Sequence, residues 1–197
     1  MIMKIVIIVV IVLFIVQQFI SARVTGQTET PDYTILKTFD NVEIRSYPSL
    51  VLASTNMGTE GYSSSSGSGF RTIAGYIFGG NESSEKISMT SPVMVEMTDT
   101  VKMSFIMPSE YTLDNLPDPD DPEVYLHEAG AMTVAVIRYG GFNNDSRFEK
   151  HRQMLQAVLE KNNIPPKSSY MFFGYNPPYE LINRRNEVAV QVDWPAK

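Results

Sequence analysis

The sequence of 197 residues contains no cysteine, and this absence excludes several kinds of chemistry at once. Thiol nucleophiles, thiolate-bound zinc, iron–sulfur clusters and disulfide bonds all require cysteine side chains. Histidine occurs only twice, as His127 and His151, so a centre built from three histidines cannot form. The P-loop, the zinc-protease motif and the nucleophile elbow of serine hydrolases are also missing from the sequence. The common signatures of enzymes are therefore absent.

The charge balance limits the partners of the protein. Sixteen lysines and arginines stand against 22 aspartates and glutamates, which gives a formal net charge of −6. Proteins that bind nucleic acid need a basic surface to neutralise phosphates, so nucleic acid is not expected as a partner. Hydrophobic residues make up 43% of the chain and charged residues 19%, as is ordinary for a globular domain.

A long apolar run stands out at the N-terminus, in residues 1–22. One lysine precedes twelve unbroken apolar residues, 5–16, and small residues end the segment. An export signal has ~7–15 apolar residues after a positive start, whereas a membrane-spanning helix needs ~20. A cleaved signal peptide and a retained signal-anchor both remain open. Either places the protein at a membrane or outside the compartment of its synthesis. Residues 23–32 are predicted to form a polar linker.

The remaining residues, 33–195, are predicted to form one domain of the α+β class. Short alternating segments predict about eight strands. A first helix face is predicted where apolar residues recur at helical spacing, and Gly79-Gly80 ends this helix. The preceding stretch 61–69 is rich in serine and glycine and has the composition of a flexible linker. A second helix is predicted to begin at Asn144 or Asp145. The resulting order of elements is ββαββ, twice.

The stretch KISMTSPVMVEM, residues 86–97, alternates apolar and polar residues but carries a proline in its middle. Proline lacks an N–H group, so it belongs at the first position or the edge of a strand. We therefore predict that the strand pairs from Val93 onward. The preceding residues Lys86, Met89 and Thr90 are then an approach loop, where a ligand could make contact.

Several phrases of the sequence coincide with those of one known family. They are YTILKTFDNVEIRSYP, GFRTIAGYIFGGN, KISMTSPV, FIMPSEY, PDPDDPEVYLHE, VAVIRYGGF, YMFFGYNPPYE and NRRNEVAVQV, in this order from Tyr33 to Val192. Together they resemble the SOUL family of haem-binding proteins, over nearly the whole of the predicted domain.

This resemblance implies both a fold and a function. The implied fold is a distorted antiparallel β-barrel of two four-stranded sheets with two helices packed outside, similar to bacterial effector-binding domains. The implied ligand is haem or another tetrapyrrole, held reversibly and without a covalent bond, and most members are not enzymes. Some members are thought to ligate the haem iron through a histidine directly before a tyrosine of the first strand pair. Here Ser46 occupies that position, so this mode of ligation is not expected.

Other residues are candidates for contact with the ligand. His127 or Met89 could serve as an axial ligand of the iron, and no other metal site is predicted. Arg71, Lys86 and Lys102 could pair with the propionates of haem. The full set of candidates for ligand contact is Phe70, Arg71, Ile73, Ala74, Ile77, Phe78, Lys86, Met89, Thr90 and Lys102. Each residue also has a structural explanation, as part of a core, a solvated charge or a half-exposed strand.

The sequence thus predicts a protein that binds, buffers or transports haem or a related tetrapyrrole and is not an enzyme. A binding module for another apolar small molecule, or for a protein partner, is the alternative. An enzyme would need an acid–base pair or a nucleophile. The carboxylates nearest the expected pocket, Glu96 and Glu110, form no pair in the sequence pattern.

Overall fold

The computed structural model describes residues 2–58 and 62–195. Three helices lie within these ranges: α1 (Ile2–Thr25), α2 (Tyr62–Ile77) and α3 (Asp145–Lys161). The strands are β1 (Thr34–Phe39), β2 (Val42–Tyr47), β3 (Leu50–Asn56), β4 (Val93–Glu96), β5 (Lys102–Ile106), β6 (Tyr125–Ala129), β7 (Met132–Tyr139), β8 (Met171–Gly174) and β9 (Asn186–Gln191). The α+β class is confirmed.

All nine strands belong to one antiparallel sheet, which curls into a half-barrel. The strand order is β1-β2-β7-β9-β8-β4-β5-β3-β6. The prediction of two separate four-stranded sheets was therefore wrong, because β8 pairs with β9 on one side and β4 on the other. The chain order is βββαββ followed by ββαββ, so the first half has one strand more than predicted.

Two long segments of the chain form a bent ribbon within this sheet. One segment is β2 followed by β3, and the other is β6 followed by β7. Tyr47 pairs with Met132 before the bend, and Leu50 pairs with Ala129 after it. The two segments thus keep the same register across the bend, where each has two residues outside the strand pairing. Proline at position 48 cannot donate a ladder hydrogen bond, which favours a break at this point.

The alternation of side chains gives the sheet an outer and an inner face. The outer face packs against α2 and α3 through Ile73, Ile77, Leu155 and Leu159, which are almost fully buried. Burial of each such side chain contributes about 1.5–3 kcal/mol. The inner face carries a separate apolar cluster from the strands, which includes Leu52, Met94, Val134 and Met171.

Helix α2 begins earlier than its composition predicts. The serine-rich stretch is helical from Tyr62, although serine and glycine are poor helix formers. The later part of the helix packs against the sheet through Ile73 and Ile77, whereas Gly67 and Ser68 are exposed. Gly69 is buried, and a Cβ atom there would collide with the side chain of Met57. The helix ends at Ile77, so Phe78 does not continue the buried face and is 60% exposed.

Two predicted boundaries can be compared directly with the structure. Strand β4 begins at Val93, as the proline at position 92 predicts. The structure also gives contacts of the predicted polar linker, residues 23–32. Helix α1 extends to Thr25, and the backbone carbonyl of Glu29 accepts a hydrogen bond from Ser91 at 2.8 Å.

Helix α1 exposes an apolar surface on all sides of its N-terminal part. Every apolar side chain from Met3 to Val16 exposes at least 47% of its area. In the part of the chain that the structure describes, no helix combines the length and the apolarity needed to cross a membrane.

Candidate functional site

A cavity of about 150 Å³ opens on the inner face of the half-barrel, and we call it the inner cavity. It combines three methionines with one histidine and one lysine–glutamate pair. Its lining residues are Leu52, Met94, Glu96, Lys102, Ser104, His127, Ala129, Met132, Met171 and Gln191. Most of them come from four neighbouring strands, β4, β5, β3 and β6.

Strand register brings the polar residues of the inner cavity together. Glu96 of β4 lies opposite Lys102 of β5, and Ser54 of β3 lies opposite Ser104 of β5. His127 of β6 lies opposite Leu52, two residues before Ser54 on β3. Residues two apart on a strand share a face, so all these side chains belong to the inner face.

A chain of hydrogen bonds links two serines to the histidine. Ser54 Oγ lies 2.7 Å from Ser104 Oγ and 2.9 Å from His127 Nε2. Burial lowers the pKa of His127, and the nearby Lys102 ammonium lowers it further. The imidazole is therefore neutral near pH 7, which is the form that can bind a metal ion.

Lys102 and Glu96 form a fixed ion pair at the rim of the inner cavity. Lys102 Nζ lies 2.5 Å from Glu96 Oε2, and each side chain retains 30% of its exposure. A half-exposed ammonium group can pair with an anionic group of a ligand without losing all of its contact with water.

The methionines form the apolar part of the wall. Met94 and Met171 are almost fully buried, and the Sδ atom of Met132 lies 3.9 Å from Gln191 Nε2. Thioether side chains are flexible and polarizable, so they can adapt to a flat aromatic ligand. They are also weak ligands for haem iron.

The inner cavity therefore fits haem in its chemistry but only partly in its size. A neutral imidazole, thioethers and an ammonium group match the iron and the propionates. Pockets for small molecules usually measure ~300–1,000 Å³. A ligand as large as haem would extend beyond this cavity. Within the described residues, no group of three or more histidine or acidic side chains could hold a metal ion alone.

The structure separates the candidate residues predicted from the sequence. Lys102 and His127 lie together at the inner cavity. Thr90 lines a second cavity of about 190 Å³, on which Glu29 and Ser109 also lie. Its hydroxyl group donates a hydrogen bond of 2.6 Å to the carbonyl of Ile106.

The other candidates lie outside both cavities. Ile73, Ala74 and Ile77 are buried in the core under α2, and the Phe70 ring packs against Phe105 at 5.1 Å between centroids. The remaining four, Arg71, Phe78, Lys86 and Met89, are exposed at the surface. Ser46, which replaces the histidine of some members, falls on the same side of β2 as Ile44 and faces away from the inner cavity.

A buried ionic cluster on the inner face was not predicted from the sequence. Glu187 is fully buried and accepts hydrogen bonds from Arg45 at 2.9 and 3.2 Å. Arg185 donates two more, at 2.9 and 2.7 Å, and the hydroxyl of Tyr175 donates one at 2.9 Å. Burial, and then the adjacent carboxylate, raises the pKa of Tyr175, so its hydroxyl remains a donor. The signal in the sequence is limited to charged residues within strands β2 and β9.

Comparison with known proteins identifies the family. The family model described as SOUL heme-binding protein matches residues 28–191. The chain belongs to the SOUL haem-binding family. The resemblance read from the sequence is thus confirmed, and the match covers every strand and both helices of the domain.

Two relatives illustrate how far the similarity extends. Heme-binding protein 2 of Homo sapiens is 32% identical over 165 residues, which cover 79% of this chain and 80% of that protein. Heme-binding protein 1 of Xenopus laevis is 27% identical over 154 residues, which cover 74% of this chain and 80% of that protein.

Solved structures with low sequence identity share the fold of this SOUL protein. The C-terminal domain of EcmrR superposes with a TM-score of 0.61 at 11% identity, covering 82% of this chain and 98% of that domain. A protein of Listeria innocua named as a hydrolase gives a TM-score of 0.53 at 9% identity, and the match covers 78% of this chain and 92% of that one. These two similarities concern the fold alone.

Proposed function

We propose that this SOUL domain binds haem or a related tetrapyrrole reversibly and without a covalent bond, at the inner cavity. The observation that carries the proposal is the convergence of His127 and Lys102 in a methionine-lined cavity of a SOUL-family domain. The relatives named as heme-binding proteins support the same ligand.

The proposed roles follow from the contacts of each side chain. His127 is the proposed iron ligand, since its imidazole is neutral, although its Nε2 atom must first exchange the hydrogen bond to Ser54. Lys102 is the proposed partner of a propionate, in place of or beside Glu96. Because the inner cavity encloses only part of such a ligand, the ligand can leave again, which suits buffering or transport.

We further propose that this role is non-enzymatic and is carried out at a membrane or after export. The non-enzymatic role agrees with the general character of the family, which is one of haem-binding proteins. The location is supported by the apolar side chains of α1, which are exposed on all sides. A large exposed apolar surface usually marks a site of contact with lipid or with another protein.

Titration of the full chain with hemin tests the ligand. The chain is held in detergent micelles, and a titration of the detergent alone is subtracted. We expect a saturable change in the Soret band. The variant His127→Ala should weaken binding at least about tenfold, a loss seen even for residues that only support a metal ligand. The matched control is His151→Ala, which removes the other histidine, stacked on Tyr139 at α3.

The propionate contact has its own test. The variant Lys102→Met should weaken the binding of hemin but not that of hemin dimethyl ester, whose propionates carry no charge. If the wild-type chain shows no saturable Soret change, the proposal is refuted and the alternative of another apolar ligand or a protein partner stands. If His127→Ala binds like wild type, haem binding stands but His127 is not the ligand.

A further inference from the structure

The last two turns of α1 contact the loop between β8 and β9, residues 176–184, which we call the β8–β9 loop. The side-chain amide of Gln18 donates a hydrogen bond of 3.1 Å to the carbonyl of Tyr179. It also accepts one of 2.9 Å from the backbone N–H of Leu181. Gln18 is only 5% exposed, so this single side chain pairs with the loop backbone much as a neighbouring strand would.

A second contact fixes the same face of the helix. Thr25 Oγ1 donates a hydrogen bond of 2.7 Å to the carboxylate of Glu180, which is itself 2% exposed. Ser21 is also buried. Residues 18, 21 and 25 are spaced by three and four, so they lie along one face of α1. This polar face is turned towards the β8–β9 loop.

The β8–β9 loop is also held from the side of the domain. The guanidinium of Arg184 donates hydrogen bonds to the carbonyls of Pro177 at 2.7 Å and Glu180 at 2.6 Å. The same guanidinium lies over the ring of Phe142, 4.5 Å from its centroid. Both charged side chains of the loop, Glu180 and Arg184, are thus used internally.

The outer surface of the β8–β9 loop is consequently mostly apolar, with Asn183 as an exposed polar residue at its end. Tyr179, Leu181 and Ile182 expose 59%, 47% and 58% of their areas. They lie beside Gln18, and the exposed apolar residues Phe14 and Ile15 precede Gln18 by one helical turn, about 5.4 Å. The apolar surface of α1 therefore continues directly into the loop.

We propose that the β8–β9 loop is a membrane-contact surface that inserts Tyr179, Leu181 and Ile182 into the bilayer that takes up the apolar part of α1. This inference rests on the proposed location of the protein. Lipid suits the surface better than a protein groove, because α1 is apolar around its whole circumference, whereas a groove requires one apolar face. A tyrosine beside aliphatic side chains is typical of the interface between lipid and water.

The same contacts imply that α1 remains attached in the mature protein. Cleavage after residue 22, the predicted boundary of the signal segment, would remove Gln18 and Ser21. The backbone of the β8–β9 loop would lose both hydrogen bonds to Gln18. Of the two alternatives that the sequence leaves open, the structure thus favours the retained segment.

Single labelled cysteines test the membrane contact, and the absence of native cysteine makes each label unique. The full chain is reconstituted in phosphatidylcholine vesicles with the environment-sensitive fluorophore NBD on Leu181→Cys or Ile182→Cys. Ile8→Cys reports on α1. The control is Thr100→Cys, exposed in the β4–β5 turn. Position 100 lies at the opposite end of β4 from the β8–β9 loop. Val93, at the first end of β4, pairs with Gly174 just before the loop, whereas Thr100 follows the other end.

We expect a blue shift of NBD emission and quenching by brominated lipid at positions 8, 181 and 182, and neither effect at position 100. If position 8 responds while 181 and 182 behave like 100, the location at the membrane stands but the contact by the loop is refuted. If position 8 does not respond, the proposed location fails, and the inference fails with it. A mature mass that lacks residues 1–22 would also overturn the inference.

Discussion

Removal of the Glu187 carboxylate should destabilise the domain more than removal of any surface carboxylate. The variant Glu187→Ala deletes the acceptor of five hydrogen bonds from Arg45, Arg185 and Tyr175. The side chain of Arg45 is only 4% exposed and cannot reach water, although it keeps its bond to Glu43 at 2.7 Å. Arg185, at 24% exposure, can turn outward.

The expected loss in the free energy of unfolding follows from the partners and the solvent contact that Arg45 and Arg185 retain. Breaking a buried ion pair costs about 3–5 kcal/mol, and we expect the lower end because Arg45 retains one partner. This is a large share of the ~5–15 kcal/mol that stabilises a typical domain. The variant Glu187→Gln keeps the shape and one acceptor oxygen, so its loss should be smaller than that of the alanine variant.

Urea unfolding of the full chain in detergent, followed by the fluorescence of the single tryptophan, Trp194, measures the free energy of unfolding. The control is Glu149→Ala, which breaks the surface pair between Glu149 and Arg152 at 2.7 Å. Exposed pairs contribute about 0.2–1 kcal/mol. If Glu187→Ala costs no more than this control, the buried cluster does not stabilise the fold and the reasoning is wrong.

Two further predictions concern pH and helix capping. Burial lowers the pKa of folded His127, while the unfolded chain titrates near 6.5. Below this pH the unfolded state then binds more protons than the folded state, so the free energy of unfolding should fall as the pH decreases from about 6.5. The variant His127→Gln should flatten this pH dependence. A pH dependence equal to that of the wild type would contradict the assignment to His127. Asn144 Oδ1 accepts a hydrogen bond of 2.9 Å from the backbone N–H of Arg147 at the start of α3. Asn144→Ala should cost about 1 kcal/mol in urea unfolding and Asn144→Ser much less, and equal losses would argue against a capping role.

Local patterns in the sequence were sufficient where the physical cause is itself local. The cap at Asn144 and the strand start after the proline at position 92 depend on one or two neighbouring residues, and both are found as predicted. The beginning of α2 was missed because its cause is tertiary. Serine and glycine there continue the helix whose later residues, Ile73 and Ile77, pack on the sheet, and composition alone does not reveal this extension.

The candidate site likewise combines residues that the sequence reveals with contacts that only the tertiary structure sets. His127 and Lys102 were recognised by their chemistry, but their neighbours depend on strand pairing between distant parts of the chain. Ser54 contacts residues 50 and 73 positions away, Ser104 and His127. Met94 was not among the predicted contacts. The pairing partners of a short strand decide which of its faces lies on the inner side of the sheet, and the sequence does not reveal those partners. The apolar spacing in α2 correctly predicted a helix, and its residues Ile73, Ala74 and Ile77 lie in the core and line neither cavity.

The bent ribbon of β2–β3 and β6–β7 has a consequence for changes in chain length. Its two strands skip the same number of residues at the bend, 48–49 on one and 130–131 on the other. An insertion of one residue on one strand alone would shift the pairing on one side of the bend and exchange inner for outer side chains there. An equal insertion opposite would restore the pairing. An unmatched insertion at this corner must therefore be looped out as a bulge to spare the pairing, which couples the tolerance for insertions at sites about eighty positions apart along the chain.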